Sequence, residues 1–306
     1  TLTTQGEGLA LEGLEFPEPV YNVALSPKTK ADLDKIGAAL ARLVEEDPSL
    51  CIRREGDTAE IILSGMGDAH VEVAIEVLKR KFGVEVTGEV PRVPYRESIT
   101  ISTKAEYKHK KQTGGHGQYG HVLLQLEPLE RGSGFEFVDR VVGGKVPKNY
   151  IPAVEKGVRE ALQEGVVAGY PVIDVRATLY DGSFHPVDSS DMSFKMAGTM
   201  AFKKGMGQAS PALLEPVMAV QISAPEAYTG DIIGDLNGRR ARVLGMIPQD
   251  GATVIQTEAP LVEMLRYAPV LRSLTQGRGI FTMQPLRYEE TPAHLKQRIV
   301  EEPRAQ

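Results

Sequence analysis

Val20-Tyr21-Asn22-Val23-Ala24-Leu25 is an extended run entered through Pro17 and Pro19, and Ser26-Pro27 closes it. A Ser-Pro pair at that place predicts a helix N-cap followed by Pro at the first helical position. Beyond it, Leu33, Ile36, Leu40 and Leu43 share one helical stripe, and Asp47-Pro48 ends the pattern. Two strand-like runs follow, Leu50–Arg54 and Ala59–Leu63, separated by a turn around Gly56-Asp57. A second amphipathic helix over about 67–82 turns Val71, Ala74, Ile75 and Leu78 inward. Gly83 follows it, and Val84-Glu85-Val86 is the closing strand. The order is βαββαβ, the split ferredoxin-like unit.

The same order recurs further on. Val217–Ser223 reads as a strand, a helix runs from near Pro225 to Gly238, and strands follow at Ala241–Ile247 and Thr253–Glu258. A helix over Leu261–Leu274 ends at Gly277, and Ile280–Leu286 is the last strand. The two units flank a middle segment, residues 93–216. Ile99–Tyr107 alternates as a strand, a Gly-rich loop follows, and Val122–Leu126 and Phe135–Val138 continue the β pattern. A helix starts near Tyr150-Ile151-Pro152, with Val154, Val158 and Leu162 on one face and Gly165 near its end. Val172–Leu179 is a strand, Asp181-Gly182 a hairpin-type turn, and Ser189-Ser190-Asp191 an N-cap cluster leading into Met192–Lys204. Gly205-Met206-Gly207 weakens the helical pattern. The expected organisation is therefore α+β, with domains at 17–92, 93–216 and 217–290 and a tail at 291–306. Pro91, Pro94 and Pro216 mark linkers near 91–95 and 214–217.

Length and composition agree. A chain of 306 residues has room for two or three domains, and 42% hydrophobic with 25% charged residues is the balance of a globular protein with real cores. The single cysteine, Cys51, excludes a disulfide framework and any Cys-built metal site, and points to a reducing compartment. No apolar run is long enough to span a membrane. Thr1-Leu2-Thr3-Thr4 has neither the basic region nor the apolar core of a signal peptide. The missing initial Met suggests processing or a piece of a longer protein. A net charge of -6 argues against a generic nucleic-acid binder, but the charge is uneven. Residues 104–121 hold Lys104, Lys108, Lys110 and Lys111 against Glu106 alone, together with His109, His116 and His121. A short cationic patch on a mildly acidic body is the footprint of a directed anion contact.

Several motifs fail on inspection. Gly115-His116-Gly117-Gln118-Tyr119-Gly120 matches G-x-G-x-x-G, but it lies between β-patterned flanks where a dinucleotide site needs a strand before and a helix after. As a hairpin loop whose bare N–H groups approach phosphates, with lysines nearby, the stretch explains both its glycines and its charges. Gly143-Gly144-Lys145 lacks the Ser or Thr that a phosphate-binding loop places after its Lys, since Val146 follows. No nucleoside-triphosphate site, nucleophile elbow or paired zinc histidines are recognisable. His70-Val71-Glu72 lacks the cysteine pair of a zinc deaminase, so His70 is expected to be a satisfied helix residue. Asp188 and Asp191 are expected as charges facing a helix dipole, and Met192, Met196 and Met200 as core packing rather than a soft binding surface. Arg239, Arg240 and Arg242 at the end of a helix suit either the dipole or an RNA phosphate.

Taken in order, these segments resemble the C-terminal three domains of bacterial elongation factor G. The resemblance rests on Glu18-Pro19-Val20, Ser26-Pro27-Lys28-Thr29-Lys30-Ala31-Asp32, Glu46-Asp47-Pro48-Ser49 and Gly65-Met66-Gly67-Asp68-Ala69-His70 in the first unit. Pro94-Tyr95-Arg96-Glu97 is similar to the junction into the family's fourth domain. Gln112-Thr113-Gly114-Gly115, Gly117-Gln118-Tyr119-Gly120-His121, Asp181-Gly182-Ser183-Phe184-His185 and Val187-Asp188-Ser189-Ser190 resemble that domain's two tip loops. Thr229-Gly230-Asp231, Gly234-Asp235-Leu236-Asn237 and Leu271-Arg272-Ser273-Leu274-Thr275 are similar to the fifth domain.

The resemblance implies two ferredoxin-like domains around a central α/β domain of the ribosomal protein S5 domain 2-like type, with residues 1–16 as the tail of a preceding β-barrel. It implies a part in ribosomal translocation by a monomeric cytoplasmic factor. Its partners would be the small-subunit decoding region, large-subunit RNA, the stalk base and the tRNA–mRNA duplex, with no membrane. GTP and magnesium would belong to a preceding domain, leaving this chain without cofactor or catalysis. RNA contact is carried over onto Gly114, Gly115, Gly117 and Gln118 in one loop and His185, projecting after the Asp-Gly turn, in the other. Lys110, Lys111, Gln112, His116 and Asp188 flank them, and Arg239 and Arg240 are assigned to the fifth domain's contact. His116 stands where the family usually carries Arg, and Arg239-Arg240-Ala241 replaces a commoner Arg-Arg-Gly. Those departures keep open a paralogue specialised in ribosome recycling or ribosomal protection. A self-contained RNA-acting enzyme would need a clustered acid, base or metal site, and the sequence offers none.

Overall fold

A computed structural model gives the fold, and it describes residues 19–112, 117–249 and 251–301. The chain divides into two units, Thr1–Arg92 with Ala219–Gln284, and Val93–Met218 with Pro285–Gln306.

The first unit opens with β1 (Tyr21–Pro27), α1 (Lys30–Glu46), β2 (Cys51–Arg54), β3 (Ile61–Gly65), α2 (Asp68–Phe82) and β4 (Val86–Glu89). The sheet order is β2-β3-β1-β4, with neighbouring strands antiparallel, as two interleaved βαβ halves require. Val23, Leu25 and Leu63 from the sheet meet Ile36, Leu40, Leu43, Val71 and Leu78 from the helices in one core. The helix start differs from expectation. Ser26 and Pro27 finish β1, and Thr29 caps α1 through a capping box with Asp32. The Asp32 carboxylate takes the Thr29 hydroxyl at 2.6 Å and the Glu85 N–H at 3.0 Å. Those bonds, Thr29's first, hold its pKa below the usual carboxylate value. Asp32 thereby occupies the inward position of the first turn, and Leu33, on the margin of the stripe, is 57% exposed. His70 is satisfied as expected, taking the Met66 N–H at Nδ1 and meeting Asp47 at Nε2, 2.9 Å away.

The second unit contains β5 (Arg96–Ile99), β6 (Thr103–Lys111), β7 (Gln118–Pro128), β8 (Phe135–Asp139), α3 (Ile151–Glu164), β9 (Val175–Ser183) and α4 (Asp191–Gln208). Its sheet runs β6-β7-β9-β8, with β8 and β9 parallel and the other pairs antiparallel. The core joins Val122, Leu124 and Leu126 to Val154, Val158 and Leu162 of α3 and Phe194, Ala197, Ala201 and Phe202 of α4.

Several expectations change here. The strand expected over Ile99–Tyr107 is broken at Thr100–Ser102, and β5 pairs instead with the start of β10 (Pro211–Pro225). That strand is continuous, so the linker expected at 214–217 is strand interior. Asp181-Gly182 is not a turn. Both residues lie in β9, opposite Leu123 and Val122, and a Cβ on Gly182 would approach the His121 carbonyl oxygen to 2.4 Å. Glycine is there for a close backbone approach, not for a reversal. Likewise α4 continues through Gly205, where a Cβ would come within 2.7 Å of Leu126 Cδ1. Met192, Met196 and Met200 are exposed at 58%, 36% and 36%, which overturns the core reading. Their period is helical, but the inward face belongs to Phe194, Ala197, Ala201 and Phe202. Glu97 of β5 is fully buried and accepts four backbone N–H groups, from Val166, Val167, Ala168 and Tyr170, at 2.7–3.0 Å.

The chain continues with α5 (Thr229–Gly238), β11 (Arg242–Gln249), β12 (Ala252–Pro260), α6 (Leu261–Met264), α7 (Tyr267–Leu274), β13 (Ile280–Glu290) and α8 (Ala293–Glu301). The strand order β11-β12-β10-β13 repeats that of the first sheet. The helix expected over Leu261–Leu274 is two helices. Pro269 in a continuous helix would clash with the Leu265 carbonyl, whereas the first turn of a new helix accepts it. Within the first unit, Arg272 of α7 reaches the start of α2, pairing with Asp68 at 3.1 Å and donating to the Met66 carbonyl. No helix among the described residues is long and apolar enough to cross a membrane.

Candidate nucleic-acid interface

In the second unit, β6 and β7 form a hairpin whose register sets Lys111 opposite Gln118, Lys110 opposite Tyr119 and His109 opposite Gly120. Side chains alternate across a strand. Ala105 and His109 turn inward, while Lys104, Lys108 and Lys110 are exposed. Gly120 belongs to the inward set because a Cβ there would meet the Ser193 carbonyl oxygen at 2.5 Å. The start of α4 therefore rests on β7, and residues 184–190 lie beside the hairpin end.

The two loops are tied together. The Gly117 N–H donates to Asp188 Oδ1 at 3.0 Å, and the Tyr119 N–H donates to the Asp188 carbonyl at 2.8 Å. The Tyr119 carbonyl in turn accepts the hydroxyls of Ser189 at 3.0 Å and Ser193 at 2.7 Å. Ser190 caps α4 with Ser193 as its reciprocal partner, and Asp191 lies in the first turn, where the helix dipole favours an anion. Asp188 departs from the dipole role, since its carboxylate faces Gly117 and His185.

His185 is half-exposed. Its Nδ1 accepts the N–H groups of Val187 and Asp188 at 3.3 and 3.2 Å. A neutral ring in that arrangement carries its proton on Nε2, which has no hydrogen bond among the described residues. Protonated, Nδ1 would instead point its hydrogen at Asp188 Oδ2, 3.2 Å away. The loop thus fixes one edge of the ring and leaves a donor on the other.

Of the residues carried over by resemblance, the structure brings Lys110, Lys111, Gln112, Gly117, Gln118, His185 and Asp188 to one end of the sheet. Gly114, Gly115 and His116 lie outside the described residues. Two of the three histidines counted with the cationic patch serve the fold. His109 is buried and meets Gln118 at 2.9 Å, and His121 bridges Glu106 and Ser183 at 2.8 and 2.9 Å. Arg239 and Arg240 belong to the other unit and are engaged there. Arg239 pairs with Asp235 at 2.6 Å, donates to the Glu263 carbonyl and lies over the Tyr267 ring, while Arg240 pairs with Glu263 at 3.0 Å. Sequence reasoning missed the Glu106–His121–Ser183–Tyr119 chain, which joins residues far apart along the chain and has no local signature. No group of His, Cys, Asp and Glu among the described residues could hold a metal ion.

Family profiles match three consecutive stretches. Elongation Factor G, domain III, matches residues 16–89; Elongation factor G, domain IV, matches 91–210; and Elongation factor G C-terminus matches 212–299. A crystal structure of a protein from Thermus thermophilus is similar at 45% sequence identity and a TM-score of 0.83, over 97% of this chain. This chain covers 45% of that protein's length. Both loops of the candidate interface fall inside the domain IV match. With the strand orders of its sheets and three profiles in succession, the chain belongs to the elongation factor G family and carries its domain III, domain IV and C-terminal domain.

Proposed function

We propose that this chain is the ribosome-binding part of a translation elongation factor of the G type, and that residues 112–118 and 184–190 contact RNA at the small-subunit decoding region. The single observation that carries this reading is the pairing of the two loops through Asp188. It sets the hairpin end that carries the exposed Lys110, Lys111 and Gln112 beside an imidazole with a free donor. Lysines suit phosphates, and an imidazole edge can donate to phosphate or stack on a base. Movement of tRNA and mRNA would be driven by GTP hydrolysis in a domain outside this chain, with GTP and magnesium bound there. The C-terminal domain would meet large-subunit RNA near the stalk base.

Co-sedimentation with ribosomes over a salt series tests the proposal. The intact chain should pellet with ribosomes and release steeply as salt rises. His185→Ala combined with a replaced Gly114–Gln118 loop should bind at least tenfold more weakly. Equal binding by that variant would refute the assignment of the loops.

A further inference from the structure

We infer that the β6 edge of the second unit's sheet is a further RNA-contacting surface, one that tracks the sugar–phosphate backbone of a single strand. The inference rests on the proposed RNA contact at the loops and extends it along the sheet. β6 is the edge strand of the order β6-β7-β9-β8. Lys104, Lys108 and Lys110 project to the same side, and alternate residues on a strand stand about 6.6 Å apart. Lys204 of α4 joins the same edge by donating to the Glu106 carbonyl at 3.2 Å.

These four lysines have no carboxylate partner among the described residues. Elsewhere in the unit, Lys145 pairs with Asp181, Lys195 with Glu160 and Lys203 with Glu164, while Lys148 and Lys156 likewise have no carboxylate partner among the described residues. On β6 the absence has a specific cause. Glu106, the only acid on β6, is turned to His121 at 2.8 Å, and His121 is held in turn by Ser183 at 2.9 Å. Ser183 also meets the Tyr119 hydroxyl at 2.8 Å, which anchors that ring. Lys108 Nζ lies 5.3 Å from the Tyr119 ring centre and Lys104 Nζ 5.4 Å from that of Tyr180. The negative ring faces hold both cations in place without neutralising them.

A row of preset, unpaired cations beside aromatic rings suits a single-stranded backbone. An apolar protein partner would need an apolar centre to its contact, and β6 has no exposed large hydrophobic residue.

The test uses the full chain and a fluorescent 12-nucleotide uridine oligomer, read by anisotropy over a salt series. Lys104→Gln, Lys108→Gln and Lys204→Gln together should weaken binding at least tenfold. They should also lower the salt slope by about 2, since each single-strand phosphate contact contributes roughly 0.7. The corresponding triple Lys→Arg variant should restore both. Unchanged affinity and slope in the Gln variant would overturn the inference. If the loop variant of the preceding section alone abolished binding, the edge would fall while the loops stood; the reverse pattern would leave the edge and remove the loops. Displacement of the oligomer by polyglutamate as readily as by unlabelled oligouridine would make the edge a general anion surface and overturn its assignment to RNA.

Discussion

Asp188 Oδ1 accepts the Gly117 N–H at 3.0 Å, joining two loops that lie 71 residues apart in the chain. The same carboxylate stands 3.2 Å from His185 Nδ1 through its other oxygen. Through its side chain at Gly117 and its backbone at Tyr119 and His185, Asp188 ties both proposed RNA-contacting segments together, and it acts as a positioning residue.

Replacing Asp188 separates that role from general stability. Asp188→Ala removes the acceptor for Gly117, at a cost of about 1 kcal/mol for one lost hydrogen bond at a partly exposed site. Amide hydrogen exchange at Gly117 should accelerate, while the core strands keep their protection. Asp188→Asn retains an acceptor oxygen and should retain most of the protection.

Glu97 carries a heavier load. Four N–H groups converge on a fully buried carboxylate, and a Gln there would present an amide NH₂ to donors. Glu97→Gln should destabilise the second unit by about 2–4 kcal/mol, counting weakened charge-assisted bonds and one mismatched pair. Urea unfolding followed through that unit's tyrosines reads the change, and a shift under about 1 kcal/mol would contradict the assignment.

The two faces of α4 should respond oppositely. Phe194 is fully buried and stacks on Tyr150 with ring centres 4.8 Å apart. Phe194→Ala is expected to cost about 3–5 kcal/mol. Met196→Gln on the outer face should stay within about 0.5 kcal/mol of the parent. Thermal melts of the two variants check this directly.

Acid should weaken the first unit. The Asp32 carboxyl is held below the usual range by the Thr29 hydroxyl and the Glu85 N–H, and that of Asp47 by Ser49 and then His70. A carboxylate with a depressed folded pKa binds fewer protons folded than unfolded. Its contribution is full above the unfolded value near ~3.9 and is lost as pH falls through the lower, folded value. Urea midpoints measured from about pH 5 downward should fall below about pH 4, and Asp32→Ala should flatten that fall.

The periodic parts of this fold were legible. The stripe of Ile36, Leu40 and Leu43 and the βαββαβ order both follow from spacing, because local burial period is written into the residues themselves. What escaped was decided by tertiary contact. Asp181-Gly182 has turn chemistry, yet a neighbouring strand's carbonyl claims the glycine's open space. The Met192–Met196–Met200 period reports a helix face but not which face is inward. Thr29 outcompetes Ser26 as the cap because Asp32 completes a reciprocal pair. At the candidate interface, glycines and lysines announced the hairpin end. Its tie to His185 through Asp188 depends on strand register that no local motif encodes.

The most direct test of the central claim is chemical footprinting of ribosomal RNA with the intact chain and with His185→Ala plus a replaced Gly114–Gln118 loop. Protection at the small-subunit decoding region that vanishes in the variant is the predicted result. Protection confined to the large subunit, or decoding-region protection that survives in the variant, would contradict it.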